Sequence, residues 1–379
     1  MIEIVEKEAS GTVIKVIGVG GAGGNAVDHM IREGVQGVEF VCSNTDAQSL
    51  KRSLAPVKLS LGKTGLGAGA KPEAGRAAAL EERERIAEAL EGAHMVFITA
   101  GMGGGTGTGA APVVAEVARE MGILTVAVVS KPFDFENRMR VADSGIEELS
   151  KHVDSLIVVL NDKLMEVYGE EASCEDCFRA ADEVLRKAVG GIAEIINVPG
   201  LVNVDFQDVR TLMAEMGRAM MGSAEAAGLD RARIAAEQAA ASPLLEGVEL
   251  AGARGVLVNI TASRSLKMSE VREAVQTVRA FAAEEATVFY GTVFDEAMED
   301  RIRVTVLATG LGTRRAAAAR PVMVVNKTGT DNVGMEVNYG DLEMPAVIRR
   351  RDTRTTVEAM SANGFGTYDI PAFLRKQAD

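Results

Sequence analysis

Nine residues in the first half of the chain have the composition of a phosphate-binding loop. Gly101–Gly109 contains six glycines and two threonines. The apolar run Met95–Ala100 before it predicts a buried strand, and helical spacing over Ala110–Met121 follows it, with Pro112 near the helix start. In such a connection, bare amide groups and a positive helix end converge on an anion. Glycine is required because a Cβ would keep the backbone from the phosphate oxygens, while threonine hydroxyls add donors or hold a metal ion's water shell.

A second glycine motif lies near the start of the chain. Gly18, Gly20 and Gly23 follow the predicted strand Thr12–Val19 with the G-x-G-x-x-G spacing of dinucleotide-binding proteins. Asp46, after the next predicted strand, is placed where such proteins bind a ribose. An NAD(P)-dependent Rossmann-type dehydrogenase therefore remains open at this point.

Two other motifs do not support a site. Gly62-Lys63-Thr64 suggests a P-loop, but that motif needs a glycine five residues before Gly62, and position 57 is valine. Cys174 and Cys177 form a single C-x-x-C without the second pair that a zinc site needs.

Composition narrows the class of protein. The chain has 379 residues and a formal net charge of -13, which argues against a nucleic-acid binder. No apolar run approaches the roughly 20 residues of a membrane span. The acidic N-terminus does not resemble a signal peptide, and three cysteines do not form a disulfide framework. We expect a cytoplasmic protein without direct membrane insertion.

Strands alternate with helices over the first half, which predicts an α/β fold with a doubly wound parallel sheet. Ligands bind beyond the carboxyl ends of such strands. Glycine or polar groups follow four of them: after Val19, after Cys42, at Gly101–Gly109 and after Ser130. Further on, Glu136 and Arg140 have the i, i+4 spacing that usually forms a surface salt bridge.

A long helix and two carboxylates follow. Ser173 begins a helix that runs to about Asn197, some 35 Å at about 1.5 Å per residue. Asp205 and Asp208 lie beyond it, at the start of a helix predicted over Val209–Met221. One of them can be an N-cap, but two carboxylates together with Asn203 exceed what capping requires.

The remainder predicts a second α+β domain. Its expected elements include a helix over Glu225–Ala241 and two antiparallel final strands, Thr287–Val293 and Arg301–Thr309. In the first domain, a further helix is expected over Ala74–Leu90. Residues 313–366 read as a disordered linker, and residues 367–379 as a peptide that docks in a partner's groove. The predicted domains are 1–198 for nucleotide binding (with the central helix at about 173–197), 199–312 for the α+β domain, 313–366 for the linker and 367–379 for the peptide.

Five stretches together resemble one family, the FtsZ family of bacterial tubulin-like cell-division GTPases. They are GGGTGTG at Gly103–Gly109, NTDAQ at Asn44–Gln48, GAGAKPE at Gly67–Glu73, NDK at Asn161–Lys163 and NVDFQD at Asn203–Asp208. The resemblance covers residues 10–312 and the last dozen. Lys71 departs from it, since asparagine is more usual there.

The resemblance implies a role for each matching position. Phosphates would be held by Gly20, Gly21, Gly103, Gly104, Gly105, Thr106, Gly107 and Thr108, with Ala70 near the γ-phosphate. Glu136 and Arg140 would contact the ribose or nearby groups. Guanine would be recognised by Asn25, Asn161, Phe178 and Asp182. Gly23, Gly24 and Asn44 complete the expected nucleotide-binding set.

The resemblance places Asp182 beside the guanine base of the nucleotide. The length of the helix then puts Asp205 and Asp208 roughly 30 Å from the nucleotide of their own subunit. We expect them, with Asn203, to act on GTP held by a neighbour in a head-to-tail filament, with Mg²⁺ as cofactor. The implied partners are further copies of the chain, and membrane-tethering and regulatory division proteins bound through 367–379. Assembly would occur on the inner face of the membrane at the division site. The alternatives are the dehydrogenase and a scaffold that assembles without hydrolysis.

Overall fold

The computed structural model describes residues 11–168, 173–197, 204–213, 217–242, 253–283 and 285–311. The predicted linker at 313–366 and the peptide at 367–379 lie outside this part of the chain, as does Asn203. The strands in chain order are β1 (Ile14–Val19), β2 (Glu39–Asn44), β3 (Val57–Ser60), β4 (Met95–Gly101), β5 (Leu124–Lys131), β6 (Ser155–Leu160), β7 (Gly217–Ala227), β8 (Gly255–Ala262), β9 (Thr287–Phe294) and β10 (Arg301–Leu311).

The part of the sheet that the first half of the chain forms has helices on both faces. The helices of the described residues follow in chain order. They are α1 (Gly20–Arg32), α2 (Ala47–Arg52), α3 (Pro72–Glu81), α4 (Arg83–Leu90), α5 (Thr106–Glu120), α6 (Met139–Leu149), α7 (Asn161–Tyr168), α8 (Cys174–Asn197), α9 (Phe206–Met213), α10 (Arg231–Ala240) and α11 (Met268–Phe281).

Ten strands form one sheet in the order β3-β2-β1-β4-β5-β6-β7-β10-β8-β9. The strands from β3 to β7 pair in parallel, and their buried apolar residues separate helices on either face, which confirms the expected doubly wound α/β fold. From β7 onward the sheet is mixed, because β10 pairs antiparallel with both β7 and β8. This second part packs around its own alanine- and valine-rich cluster.

Four expected elements differ from the structure. The helix expected from Ala110 begins at Thr106, so Pro112 lies in its second turn. The helix expected over Ala74–Leu90 is divided at Glu82 into α3 and α4. Those expected over Val209–Met221 and Glu225–Ala241 are shorter, because the intervening residues form β7. The small residues of β7 favour helix by propensity, but pairing with β6 and β10 overrides that preference.

The last two strands run in opposite directions, as expected, but they are not neighbours. β8 lies between them, parallel to β9 and antiparallel to β10. The connection between β9 and β10 therefore crosses over β8 instead of forming a hairpin.

The long central helix is confirmed. α8 has 24 residues, so it is about 36 Å long at about 1.5 Å per residue. Ser173 caps it, since its Oγ accepts from the backbone N–H of Asp176 at 3.1 Å and donates to that residue's carboxylate at 2.6 Å. At the other end, the amide of Asn197 donates to the carbonyl of Gly37 at 2.6 Å, just before β2.

Candidate functional site

Two glycine loops meet at the carboxyl ends of neighbouring strands. β1 and β4 pair in parallel, with Val19 opposite Ala100, so the chain leaves both strands at the same edge of the sheet. Gly20 has φ +78°, and a Cβ there would lie 2.9 Å from the amide nitrogen of Gly107. Only glycine allows this backbone conformation and this approach without strain. The starts of α1 and α5 therefore converge on one cleft.

Both helix starts lack a side-chain cap. The residues before them, Val19 and Gly105, make no capping hydrogen bond, and neither helix has an acidic residue in its first turn. At Gly21 and Gly104, a Cβ would point into open space. Uncapped N–H groups, two helix dipoles and room beside the backbone form an anion site that suits the phosphates of a nucleotide.

The other end of the cleft has the chemistry of a base-binding site. Phe178 is 45% exposed and packs edge-on against Phe133, with the ring centroids 5.3 Å apart. Asn161 is 5% exposed, and its Oδ1 has no hydrogen-bond partner within the described ranges. Burial raises the pKa of Asp182 to about 6, although His29 and Arg32 oppose that shift. An aromatic face, an unpaired acceptor and a buried carboxyl suit a flat base that carries N–H donors.

The cleft has a volume of about 340 Å³. Ten of the expected nucleotide-binding residues line it: Gly21, Asn25, Gly104, Gly105, Thr106, Gly107, Glu136, Asn161, Phe178 and Asp182. The structure thus brings together residues that lie up to 161 positions apart in sequence.

Asp205 and Asp208 lie at the opposite edge of the sheet. The ring of Phe206, between them in sequence, faces the ring of His94 at a centroid distance of 6.2 Å. His94 immediately precedes β4, whereas the glycine loop follows β4. The seven residues of β4 span about 20 Å at about 3.3 Å per residue. The acidic pair and the cleft are therefore separated by the length of the sheet.

The chain matches two family models. The Tubulin/FtsZ family GTPase domain matches residues 13–169, and the FtsZ family C-terminal domain matches residues 217–312. The chain is 54% identical to the cell division protein FtsZ of Pseudomonas aeruginosa, with 100% of both chains covered, and 54% identical to that of Coxiella burnetii, with 99% of each covered. It is also similar to an empty FtsZ dimer from M. jannaschii, with 43% identity, a TM-score of 0.77 and coverage of 81% of this chain and 90% of that one.

The chain belongs to the FtsZ family. As a member it is a tubulin-like, filament-forming GTPase of cell division. α8 and the acidic pair fall between the two matched segments, so the domain boundaries at 198 and 312 stay predictions.

The dehydrogenase alternative finds no support, and the structure supplies a physical reason. Both carboxylate oxygens of Asp46 are occupied, one by the N–H of Gln48 at 2.9 Å and the other by the hydroxyl of Ser49 at 2.7 Å. Asp46 caps α2, so its carboxylate has a local structural role.

Three residues that the resemblance places among the nucleotide ligands, Gly23, Gly24 and Asn44, are not in the lining of the cleft and instead make contacts that support its loops. A Cβ at Gly23 would overlap the carbonyl oxygen of Thr99, and one at Gly24 would lie 3.1 Å from the Sγ of Cys42, so both let α1 lie against the sheet. The Oδ1 of Asn44 accepts from the N–H of Asp46 at 3.1 Å and shapes the turn after β2.

The loops also support one another. The hydroxyl of Thr108 accepts from the N–H of Gly103 at 2.9 Å. Ala70 has a positive φ of 54°, and its amide nitrogen would lie 3.2 Å from a Cβ at Gly105, so the loop before α3 lies against the glycine loop. Thr45 and Thr106 join the second and fourth strands' loops through a hydroxyl contact of 2.7 Å.

Arg138, which the sequence analysis missed, lines the cleft, whereas Arg140 lines a neighbouring one between α3, α5 and α6. Glu136 forms its ion pair with Arg138 instead of the expected Arg140. The reason is local: Asp134–Glu136 is a 3₁₀ turn and Asn137 is left-handed, so the i, i+4 rule for helices does not apply. A basic residue two positions after Glu136 was the available signal.

Within the described ranges, no group of three His, Cys, Asp or Glu residues could hold a metal ion. The thiol of Cys177 is free and buried, and the side chain of Cys174 is outside the described part. None of the helices in the described part is long and apolar enough to cross a membrane.

Proposed function

We propose that GTP hydrolysis is completed between two copies of the chain, with Asp205 and Asp208 of one acting on GTP held by the next. The observation that carries this proposal is the placement of the cleft and the acidic pair at opposite edges of one sheet. Within a subunit, Asp182 lines the cleft, and α8 ends 15 residues later at Asn197. That interval alone is about 22 Å at about 1.5 Å per residue.

Side chains that lie so far from their own nucleotide can reach only that of a neighbour. A contact that places the acidic edge of one copy on the cleft of another joins two different surfaces. Repetition of such a contact gives an open filament with one active site per junction. The FtsZ dimer from M. jannaschii, a protein 43% identical to this chain, is in keeping with self-association.

The two carboxylates differ in their availability. The Oδ1 of Asp205 accepts from the N–H of Asp208 at 2.8 Å and caps α9. Within the described part of the chain, no hydrogen bond or ion pair is made to the Asp208 carboxylate. Asp208 is thus the stronger candidate to orient and polarise the attacking water, and Asp205 supports it while capping the helix. Asn203, the third proposed catalytic residue, lies outside the described residues.

The phosphates would be bound by the uncapped amides of α1 and α5, with Gly20, Gly21 and Gly104–Gly107 nearest, while Gly103 and Thr108 hydrogen-bond to each other and support the loop. Where Mg²⁺ accompanies the nucleotide, the hydroxyl of Thr106 would be the side-chain group of this cradle that could hold its water shell. When bound, Mg²⁺ would neutralise charge on the β- and γ-phosphates.

Loss of the γ-phosphate would remove its contacts with the loop around Ala70 and weaken the junction. Nucleotide state would thereby control filament lifetime. We further propose that residues 367–379 bind membrane-tethering and regulatory division proteins, and that filaments assemble in the cytoplasm at the division site, on the inner face of the membrane.

Asp208→Ala tests the proposal. The variant should bind GTP with unchanged affinity and form longer-lived filaments, while phosphate release falls on the order of 100-fold or more, as for loss of a group that acts in the transition state. The measurements are GTP binding, sedimentation and phosphate release against protein concentration. The split site would be contradicted if Asp208→Ala hydrolysed GTP at the wild-type rate. It would also be contradicted if the specific GTPase activity of the wild-type protein did not depend on protein concentration.

A further inference from the structure

His94 is an exposed residue that makes three hydrogen bonds at the amino-terminal edge of the sheet. Its backbone N–H donates to the carbonyl of Val13 at 2.9 Å, and its carbonyl accepts from the N–H of Leu124 at 3.1 Å. The side chain is also fixed, because Nδ1 accepts from the N–H of Val13 at 3.0 Å. Since Nδ1 is an acceptor here, the neutral ring carries its proton on Nε2. His94 is thus fastened to the starts of β1 and β5.

The fixed ring contacts the first residue of the acid-bearing helix. His94 and Phe206 meet edge to face, with an interplanar angle of 69°. Phe206 is the first residue of α9; Asp205 immediately precedes it and Asp208 lies two positions after it. Because Phe206 lies between the two acids in the chain, a displacement of the Phe206 backbone would also displace the backbone that carries both carboxylates.

α9 packs along its length against one hydrophobic cluster, and each of its ends makes a further contact of its own. At its C-terminal end, Leu212 and Met213 are buried, and the Leu212 carbonyl accepts from the hydroxyl of Thr309 on β10 at 3.1 Å. At its N-terminal end, Phe206 packs against the same hydrophobic cluster that contains Leu212 and Met213, and its ring also faces that of His94. The contact with His94 therefore ties the acidic end of α9 to the nucleotide-binding part of the same subunit.

We infer that His94 is a positioning residue for hydrolysis, acting through Phe206 to orient Asp205 and Asp208 toward the nucleotide of the neighbouring subunit. This inference rests on the proposed split site. We expect His94 to affect the catalytic step and not nucleotide binding, because His94 lies a full strand length from its own subunit's cleft. Displacement of a catalytic group by about 1 Å can cost on the order of 100-fold in rate.

Two substitutions separate the functions of the ring and of its acceptor atom. His94→Phe keeps the ring but loses the acceptor for the Val13 N–H, whereas His94→Asn keeps an acceptor near that position but loses the ring. We expect kcat at saturating GTP to fall roughly five- to fiftyfold in His94→Asn and to stay within about twofold of wild type in His94→Phe. GTP affinity of the dilute protein, the amount of sedimented polymer and the unfolding midpoint should be unchanged in His94→Asn.

Wild-type kcat in His94→Asn, or an equal loss in His94→Phe, would overturn the inference. Asp208→Ala is measured alongside. If Asp208→Ala hydrolyses GTP at the wild-type rate, the proposed split site fails and the inference fails with it. If Asp208→Ala is inactive while His94→Asn is fully active, only the positioning role is refuted.

Discussion

The helix N-termini at the two edges of the sheet differ in whether a side chain caps them. At the cleft, α1 and α5 begin at glycine-rich turns without a side-chain cap. At the acidic edge, α9 is preceded by Asp205, whose carboxylate accepts from the N–H of Asp208 and caps the helix. The protein thus leaves its anion-binding N–H groups free at one edge and satisfies them internally at the other.

This difference shows which partner each edge is prepared for. Two helix N-termini without a cap or a first-turn acid converge on the cleft, so the cleft is complementary to phosphates. The acidic edge is complete as a structural element, and it presents carboxylates outward. Asp205 is exposed and Asp208 is half-buried. In the proposed split site, the first edge would bind the nucleotide, and the second would offer the groups that act on it.

The largest effect at the cleft edge is expected from Gly104→Ala. Its Cβ would enter the open space reserved for phosphate, so GTP affinity should fall on the order of 100-fold, equivalent to about 3 kcal/mol of charge-assisted hydrogen bonding. The free energy of unfolding of the nucleotide-free protein should not change. Calorimetry with GTP and denaturant unfolding measure the two quantities.

Gly23→Ala is the matched control, because its Cβ would overlap the Thr99 carbonyl inside the fold. It should lower the unfolding free energy by about 1–3 kcal/mol. If Gly104→Ala instead destabilised the fold and bound GTP normally, the open amides would not be the phosphate site.

A smaller effect concerns the base end of the cleft. Burial raises the pKa of Asp182 to about 6, so its carboxyl is protonated below that pH and cannot accept from both N–H groups of guanine. GTP affinity should therefore be full above about pH 7 and about tenfold weaker at pH 5. Asp182→Asn retains one acceptor and removes the ionisation, so this pH dependence should disappear. A wild-type affinity that is constant from pH 5 to 7.5 would contradict the assignment.

The smallest effect tests the cap at the acidic edge. Asp205→Ala should lower the unfolding free energy by about 1 kcal/mol, whereas Asp205→Asn, which still caps α9, should lower it by much less. Both variants remove the carboxylate, so both should reduce GTP hydrolysis. Equal stabilities of the two variants would show that Asp205 does not cap the helix in solution.

Glycine and helix periodicity made much of the fold and the cleft predictable. The turns at Gly20 and Gly103 and the 24-residue length of α8 are strongly constrained by local sequence. β7 was not predictable in this way, because its alanines and methionines become a strand only through pairing with β6 and β10. The position of Arg138 in the cleft was not predictable either, because the left-handed conformation of Asn137 changes the direction of the chain. The contact of His94 with Phe206 joins residues 112 positions apart and has no local signal.

A mixture of two inactive variants tests the split site most directly. Asp208→Ala binds GTP but offers no catalytic carboxylate at that position, whereas Asp182→Ala offers the carboxylates but has lost a base contact in its own cleft. In an equal mixture, about one junction in four would join an intact cleft to an intact acidic edge if subunits mix at random. Our account predicts phosphate release well above the sum of the two variants measured alone. Release equal to that sum, in mixtures that sediment together, would contradict it.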